Sequence, residues 1–240
     1  MLPNAIVVGP MKAGTTWIQD YMESRGDVWL PDRVKETFFF DSYWERGVDW
    51  YAGFFLYSDS MEKPFCLEVG SSYFHHPDIP TRVRETLGDI PILVTLRDPV
   101  RRAWSHYLHL RRYGHTRASL QEAVTQYPEI IDASRYRTCL DRWYAVFPRE
   151  YISLVWQDLL KESPNDYAQE VCSALGLKPS PVPEALTGAS NQAAVPSSYW
   201  LAAAGSLVTR MLRHVGLYSV VNGAKRLGLK RLFFGKPGSA

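Results

Sequence analysis

The stretch from Ala5 to Met22 constrains this chain more than any other. Ala5-Ile6-Val7-Val8 is an apolar run without polar alternation, the pattern of a strand buried on both faces. It stops at Gly9, and Pro10-Met11-Lys12-Ala13-Gly14 reads as a loop. From Thr15 the period changes, with Trp17, Ile18, Tyr21 and Met22 on one side of a helix. Strand, glycine loop and helix open a nucleotide-binding α/β unit. The loop aims several unpaired backbone N–H groups at one point, and the helix dipole adds to the pull on a phosphate. Here Lys12 supplies positive charge, Ala13 and Gly14 bring the backbone close, and the hydroxyls of Thr15 and Thr16 can donate beside Trp17. The competing reading is a glycine turn with an exposed lysine.

This is not a Walker A loop, in which the lysine follows the second glycine directly and a Ser or Thr binds magnesium. Lys12 instead precedes Gly14 with one residue between them. A donor without a γ-phosphate has less charge to neutralise, so no metal is expected.

Phe65–Val69 and Ile92–Leu96 read as central parallel strands, and Tyr151–Trp156 as a fourth strand. Pro99 opens a helix to about Arg112, and Ala133–Phe147 carries a helical stripe through Tyr136, Leu140, Trp143 and Phe147. Ser163 caps a further helix with Pro164 at its first position, ending near Gly176. The alternation predicts a single P-loop-like three-layer α/β domain, a central parallel sheet flanked by helices. Its nucleotide-binding core is expected over residues 1–177. Residues 178–240 read as a proline-broken loop and a helical C-terminal extension, with helices near 198–215 and 218–232.

Arg97 stands at the C-terminal end of the third strand, where open α/β sheets bind ligands. Ser105 lies about two turns into the next helix, so the pair could grip one phosphate. Arg101 and Arg102 compete with a simpler reading, surface solvation, which is expected to hold for at least one of them.

A net charge of +2 gives no case for a nucleic-acid partner, and anion recognition must come from local clusters at 97–112 and 225–236. Cys66, Cys139 and Cys172 lie far apart in apolar settings and read as buried reduced thiols, without metal-ligand spacing. The first apolar run is too short for a signal peptide, and none approaches the roughly 20 residues of a membrane span. A cytoplasmic location is the resulting expectation. Val220–Phe234 mixes apolar and basic residues, which suits a terminal helix docked on the core or a weak contact with an anionic membrane surface.

Together these motifs resemble the 3′-phosphoadenosine 5′-phosphosulfate (PAPS)-dependent sulfotransferases, most closely the heparan sulfate N- and O-sulfotransferase branch and its bacterial relatives. The resemblance covers roughly residues 5–177. It runs through Val8–Thr16, Lys35-Glu36-Thr37-Phe38-Phe39-Phe40-Asp41, Glu68–Phe74, Leu96-Arg97-Asp98-Pro99 to Tyr107, and Tyr136 to Pro148. It implies transfer of a sulfuryl group from PAPS to a hydroxyl- or amine-bearing acceptor, leaving 3′,5′-ADP. It also implies Glu36 as general base, Lys35 near the sulfate, and Lys12 at the bridging oxygen. The competing reading of Lys35-Glu36 is a solvated pair, but Phe38-Phe39-Phe40 places it against a buried or cleft-lining group. His75, His76 and His106 are weaker candidates for the base.

The chain departs from the family after Gly176, where no match to the late Gly- and Lys/Arg-rich loop is found, and Asn191-Gln192 begins a polar stretch instead. Two other functions compete: a P-loop small-molecule kinase, and a nucleotide-binding protein without catalysis. The rings at Tyr43, Trp44, Trp50, Tyr51, Phe54 and Phe55 suit either acceptor stacking or a core.

Overall fold

The structure is a computed structural model that describes residues 1–55, 65–188, 199–214 and 216. The helical stretch expected at 218–232, its basic cluster and Asn191-Gln192 lie outside the described residues.

The chain begins with β1 (Ala5–Gly9), α1 (Thr15–Glu23), β2 (Val28–Trp29), α2 (Phe39–Ser42) and α3 (Gly47–Ala52). It continues with β3 (Phe65–Val69), α4 (Ile79–Leu87), β4 (Ile92–Leu96) and α5 (Pro99–Arg112). Then come α6 (Leu120–Gln126), α7 (Glu129–Asp132), α8 (Tyr136–Tyr144) and β5 (Ile152–Trp156). The last elements are α9 (Leu159–Glu162), α10 (Pro164–Ala174), α11 (Glu184–Thr187) and α12 (Tyr199–His214). They fall into two compact units, residues 1–102 with 132–189, and residues 103–131 with 190–240.

The first unit holds a five-stranded sheet in the order β2-β3-β1-β4-β5, with every neighbouring pair parallel. Four strands match the sequence reading, and β2 is a two-residue edge strand too short to leave a pattern. The central strands β1 and β4 are buried throughout, as their unbroken apolar runs require. Edge strand β5 alternates instead, exposing Leu154 and Trp156. One face of the sheet packs Ala5, Val7, Leu67, Val69 and Leu93 against Trp17, Ile18, Tyr21 and Met22 of α1 and Tyr167, Val171 and Cys172 of α10. The alternation along a strand then puts Glu68 on the opposite face, in register with Ile6. Cys66, Cys139 and Cys172 are free and buried.

Helix α10 begins as its sequence requires: the Ser163 hydroxyl accepts the Asp166 N–H at 3.3 Å, and Pro164 occupies the first turn. In the second unit, Tyr107, Leu110, Ala123 and Ile130 form a small core. There Ser119 and Glu122 close a reciprocal capping box at the start of α6.

Candidate functional site

After β1 the chain crosses to β2 and β3 on one side, and β4 then pairs on the other side of β1. That reversal leaves a crevice at the C-terminal ends of β1 and β4, the place where open α/β sheets take ligands. Both phosphate-binding segments read from the sequence lie there. The loop 10–14 follows β1, and Arg97 follows β4.

The loop is tightly wound. Gly9, Lys12 and Gly14 all have positive φ, at 92°, 73° and 97°. Glycine is required at position 9 on two counts. Its φ is left-handed, and a Cβ there would sit 2.4 Å from the Ser71 carbonyl oxygen. Gly14 is the N-cap of α1 with no side-chain cap, so the first amides of the helix, from Thr15 and Thr16, have no intrahelical acceptor. Thr15 is buried and Thr16 exposed, while Ala13 is fully buried and Lys12 half-buried at the bend. Trp17 serves the helix rather than the loop. Its N–H bonds to the Gly14 carbonyl at 3.0 Å, and its indole donates to the Leu186 carbonyl at 3.0 Å.

Two arginines hold the loop from behind. Arg97 donates from Nη1 to the Lys12 carbonyl at 3.1 Å, and Arg102 from Nη1 to the Met11 carbonyl at 3.2 Å. Arg97 is itself fixed by Tyr136, whose hydroxyl donates to the Arg97 carbonyl at 2.6 Å. Its Nε is buried without a hydrogen-bond acceptor among the described residues. A buried donor without an acceptor is a group that an anion would satisfy. Arg101 is exposed, as surface solvation requires, but Arg102 is fully buried and bonds the Ser134 hydroxyl through Nε at 2.5 Å. Burial pulls its pKa down to about 10, which still leaves it charged at neutral pH.

The second cluster is built by the end of β3 and the loop after it. The Ser71 hydroxyl donates to Glu36 at 2.7 Å, and Ser72 donates to Asp41. Glu68 accepts from Thr37, from Tyr73 at 2.9 Å and from Tyr51 at 2.5 Å. The Lys35–Asp41 segment is thus anchored by three side chains of one strand end. Lys35 and Glu36 are half-buried. Ser71 joins this cluster to the phosphate loop, since its backbone carbonyl is the atom packed against Gly9.

The aromatic wall beyond is self-packed. Phe39 stacks on Tyr51 with centroids 4.4 Å apart, Phe40 meets Tyr73 edge-on at 5.5 Å, and Trp50 meets Phe54 edge-on at 4.8 Å. Tyr51, Phe54 and Phe55 are buried, while Tyr43, Trp44 and Trp50 are half-buried. His75 and His76 line a cavity of about 290 Å³ with Asp132, Arg135, Cys139 and Arg142. Burial, with the neighbouring cations, pushes the His75 pKa down to about 4, so it is neutral at pH 7. Ser105 and His106 lie in the second unit, on α5, half-buried and buried respectively. Among the described residues, no group of three or more His, Cys, Asp or Glu side chains converges as metal ligands would, and no helix is long and apolar enough to cross a membrane.

Sequence reading missed Arg102 and Glu68 as site-building residues. Arg102 has no local signal, because its neighbour Arg101 carries the same charge and faces water. Glu68 had one: a lone acid inside an otherwise apolar strand, Phe-Cys-Leu-Glu-Val, must find partners.

Comparison with known proteins gives a consistent picture. Residues 2–194 match the sulfotransferase domain family. Over 197 residues the chain is 28% identical to the human bifunctional heparan sulfate N-deacetylase/N-sulfotransferase 3, covering 74% of this chain and 23% of that protein. Over 107 residues it is 36% identical to the membrane-associated sulfotransferase kil1 of Dictyostelium discoideum, covering 44% and 22%. The chain therefore spans less than a quarter of the length of these curated relatives. Among solved structures, a sulfotransferase from Alicyclobacillus acidocaldarius superposes with a TM-score of 0.65 at 25% identity, over 80% of this chain and 87% of that one. The sulfotransferase domain from the curacin biosynthetic pathway shares the fold, with a TM-score of 0.53 at 10% identity, over 79% of each chain.

Proposed function

The chain belongs to the sulfotransferase domain family of PAPS-dependent enzymes, and from that premise we propose that Glu36 is the general base and the β1/β4 crevice the donor site. The observation that carries the reading is the double role of Ser71. Its carbonyl packs on Gly9 at the root of the phosphate loop, and its hydroxyl holds Glu36. Base and phosphate loop are thereby fixed to each other through a single residue.

The residues present fit the donor. The uncapped amides at the start of α1 and the dipole behind them suit its 5′-phosphate. The buried Arg97 Nε lacks an acceptor among the described residues, and a 3′-phosphate would supply one. When bound, PAPS supplies a sulfuryl group attached to a phosphate leaving group. Lys12 neutralises charge that develops on the bridging oxygen, as an ammonium fixed at the loop bend can. Lys35 faces the charge on the transferring group. Glu36 takes the proton from the acceptor oxygen or nitrogen as that atom bonds to sulfur. The acceptor is a hydroxyl or amine of a small-molecule, carbohydrate or lipid-like compound. The kinase reading is disfavoured by Lys12, which stands before Gly14 rather than after it. The purely binding reading leaves Glu36 and its serine clamp without a task.

The substitution Glu36→Gln preserves shape and removes the base. Turnover should fall by about 10²- to 10⁴-fold while calorimetry finds unchanged affinity for 3′,5′-ADP. Wild-type turnover in this variant would refute the base assignment.

A further inference from the structure

Glu68 is an ionisable side chain with 0% exposure on a central strand, a position where a charge is expensive. Among the described residues its partners are three hydroxyls. Oε1 accepts from Thr37 and Tyr73, and Oε2 accepts from Tyr51. The phenols of Tyr51 and Tyr73 are fully buried, and burial followed by the nearby Glu68 carboxylate drives both pKa values well up, so both stay protonated as donors.

Thr37 is the link outward. It follows Glu36 directly, and its Oγ1 also accepts the Phe39 N–H at 3.2 Å. Between them Phe38 is held at a φ of 53°, a left-handed conformation that a bulky side chain adopts only when its surroundings force it. The turn carrying Glu36 is therefore pinned at two points by the end of β3: at Glu36 through Ser71, and at Thr37 through Glu68.

We propose that Glu68 is a positioning residue for sulfuryl transfer, its carboxylate acting through Thr37 to hold the Glu36 turn in its working geometry. The proposal rests on the reading of Glu36 as the base.

A carboxylate is what this network needs, because three donors converge on it. A protonated carboxyl brings a proton of its own, and one hydroxyl must then turn away. Tyr73 OH and Thr37 Oγ1 are 3.3 Å apart, so a displaced hydroxyl finds its partner in the other rather than in Glu68. Protonation thus offers the Thr37 end of the network a second arrangement. The titration falls in a useful range. Burial raises the Glu68 pKa, the three hydroxyls lower it, the charge of Asp41 raises it, and the result is about 7. Among the described residues, the ionisable groups acting on or with Glu68 are Tyr51, Tyr73, Asp41 and Cys66. Protonation of Glu68 should loosen the Glu36 turn and add to the loss of activity caused by protonating Glu36 itself.

The experiment uses Thr37, since replacing a fully buried Glu68 risks the fold. Thr37→Val keeps the shape and removes the hydroxyl, and Thr37→Ser keeps the hydroxyl. The full chain is assayed for turnover of PAPS with an acceptor across pH 5 to 9, and for 3′,5′-ADP affinity. Thr37→Val should lose about 10- to 100-fold in kcat, the scale of a small misplacement of a reacting group, with 3′,5′-ADP affinity unchanged. Its acid limb should be shallower, reporting one ionisation where the wild type reports two, and Thr37→Ser should restore both rate and shape. A Thr37→Val enzyme with wild-type kcat, or with reduced kcat on an unaltered two-proton limb, would overturn the proposal while leaving the base reading intact. An active Glu36→Gln enzyme would overturn both.

Discussion

Glu68, buried, and His75, half-buried, are ionisable groups pushed in opposite directions, and each leaves a mark on stability against pH. His75 falls from 6.5 to about 4. Between those values the folded state binds fewer protons than the unfolded chain, so its contribution to stability falls as pH drops from about 6.5 to about 4. Glu68 rises from 4.5 to about 7. The folded state then binds more protons than the unfolded one, and its contribution to stability grows as pH drops from about 7 to about 4.5. The two windows overlap and oppose each other. Glu68→Gln, wherever it folds, removes one side of the balance. Urea unfolding at a series of pH values should show this variant losing stability more steeply than wild type between pH 6.5 and 4. Parallel profiles would contradict the assignment. At this scale the sequence shows residue type but not environment. Nothing in Arg101-Arg102 tells which guanidinium faces water and which reaches the Met11 carbonyl, because that depends on where the loop lies in three dimensions.

Among elements, the strand–loop–helix unit was the most legible, because each part has its own period and its glycines mark the joints. Strands β1, β3 and β4 follow from their apolar runs, and α10 from its Ser163-Pro164 start. The two-residue β2 is held by register with Phe65 and Cys66 alone, which no local pattern encodes. Helix α4 was readable from Asp78 and Pro80 at its start and from Ile79, Val83 and Leu87 at helical spacing, and α6 from Ser119 and Glu122. The two loop glycines should respond differently to an added methyl. In Gly9→Ala the Cβ meets backbone, 2.4 Å from the Ser71 oxygen. In Gly14→Ala it meets side chains rather than backbone, 2.8 Å from Gln157 Cγ and 3.1 Å from the Tyr167 hydroxyl. Both substitutions carry a left-handed strain of about 1–2 kcal/mol, and Gly9→Ala adds the closer clash, against backbone that no rotamer change can move. In chemical denaturation Gly9→Ala should therefore be clearly the less stable of the two. Equal losses would mean that the strand ends are not packed as described.

For the whole molecule, the order β2-β3-β1-β4-β5 explains why two segments more than eighty residues apart in sequence lie at one place. The switch between β1 and β4 brings the Lys12 loop and Arg97 to one crevice, joined by the bond from Arg97 to the Lys12 carbonyl. Sequence alone could place each at a strand end, but not their contact, since strand order is a property of the fold. The match over residues 2–194 and the superposition on the Alicyclobacillus protein agree with the α/β fold. The central claim is sulfuryl transfer from PAPS at this crevice. Its most direct measurement is the formation of 3′,5′-ADP from PAPS in the presence of a panel of phenol, sugar and amine acceptors, set beside ADP formation from magnesium-ATP with the same panel. The account predicts acceptor-dependent release of 3′,5′-ADP that is lost in Glu36→Gln, with ATP untouched. Turnover of ATP with PAPS left intact would contradict it.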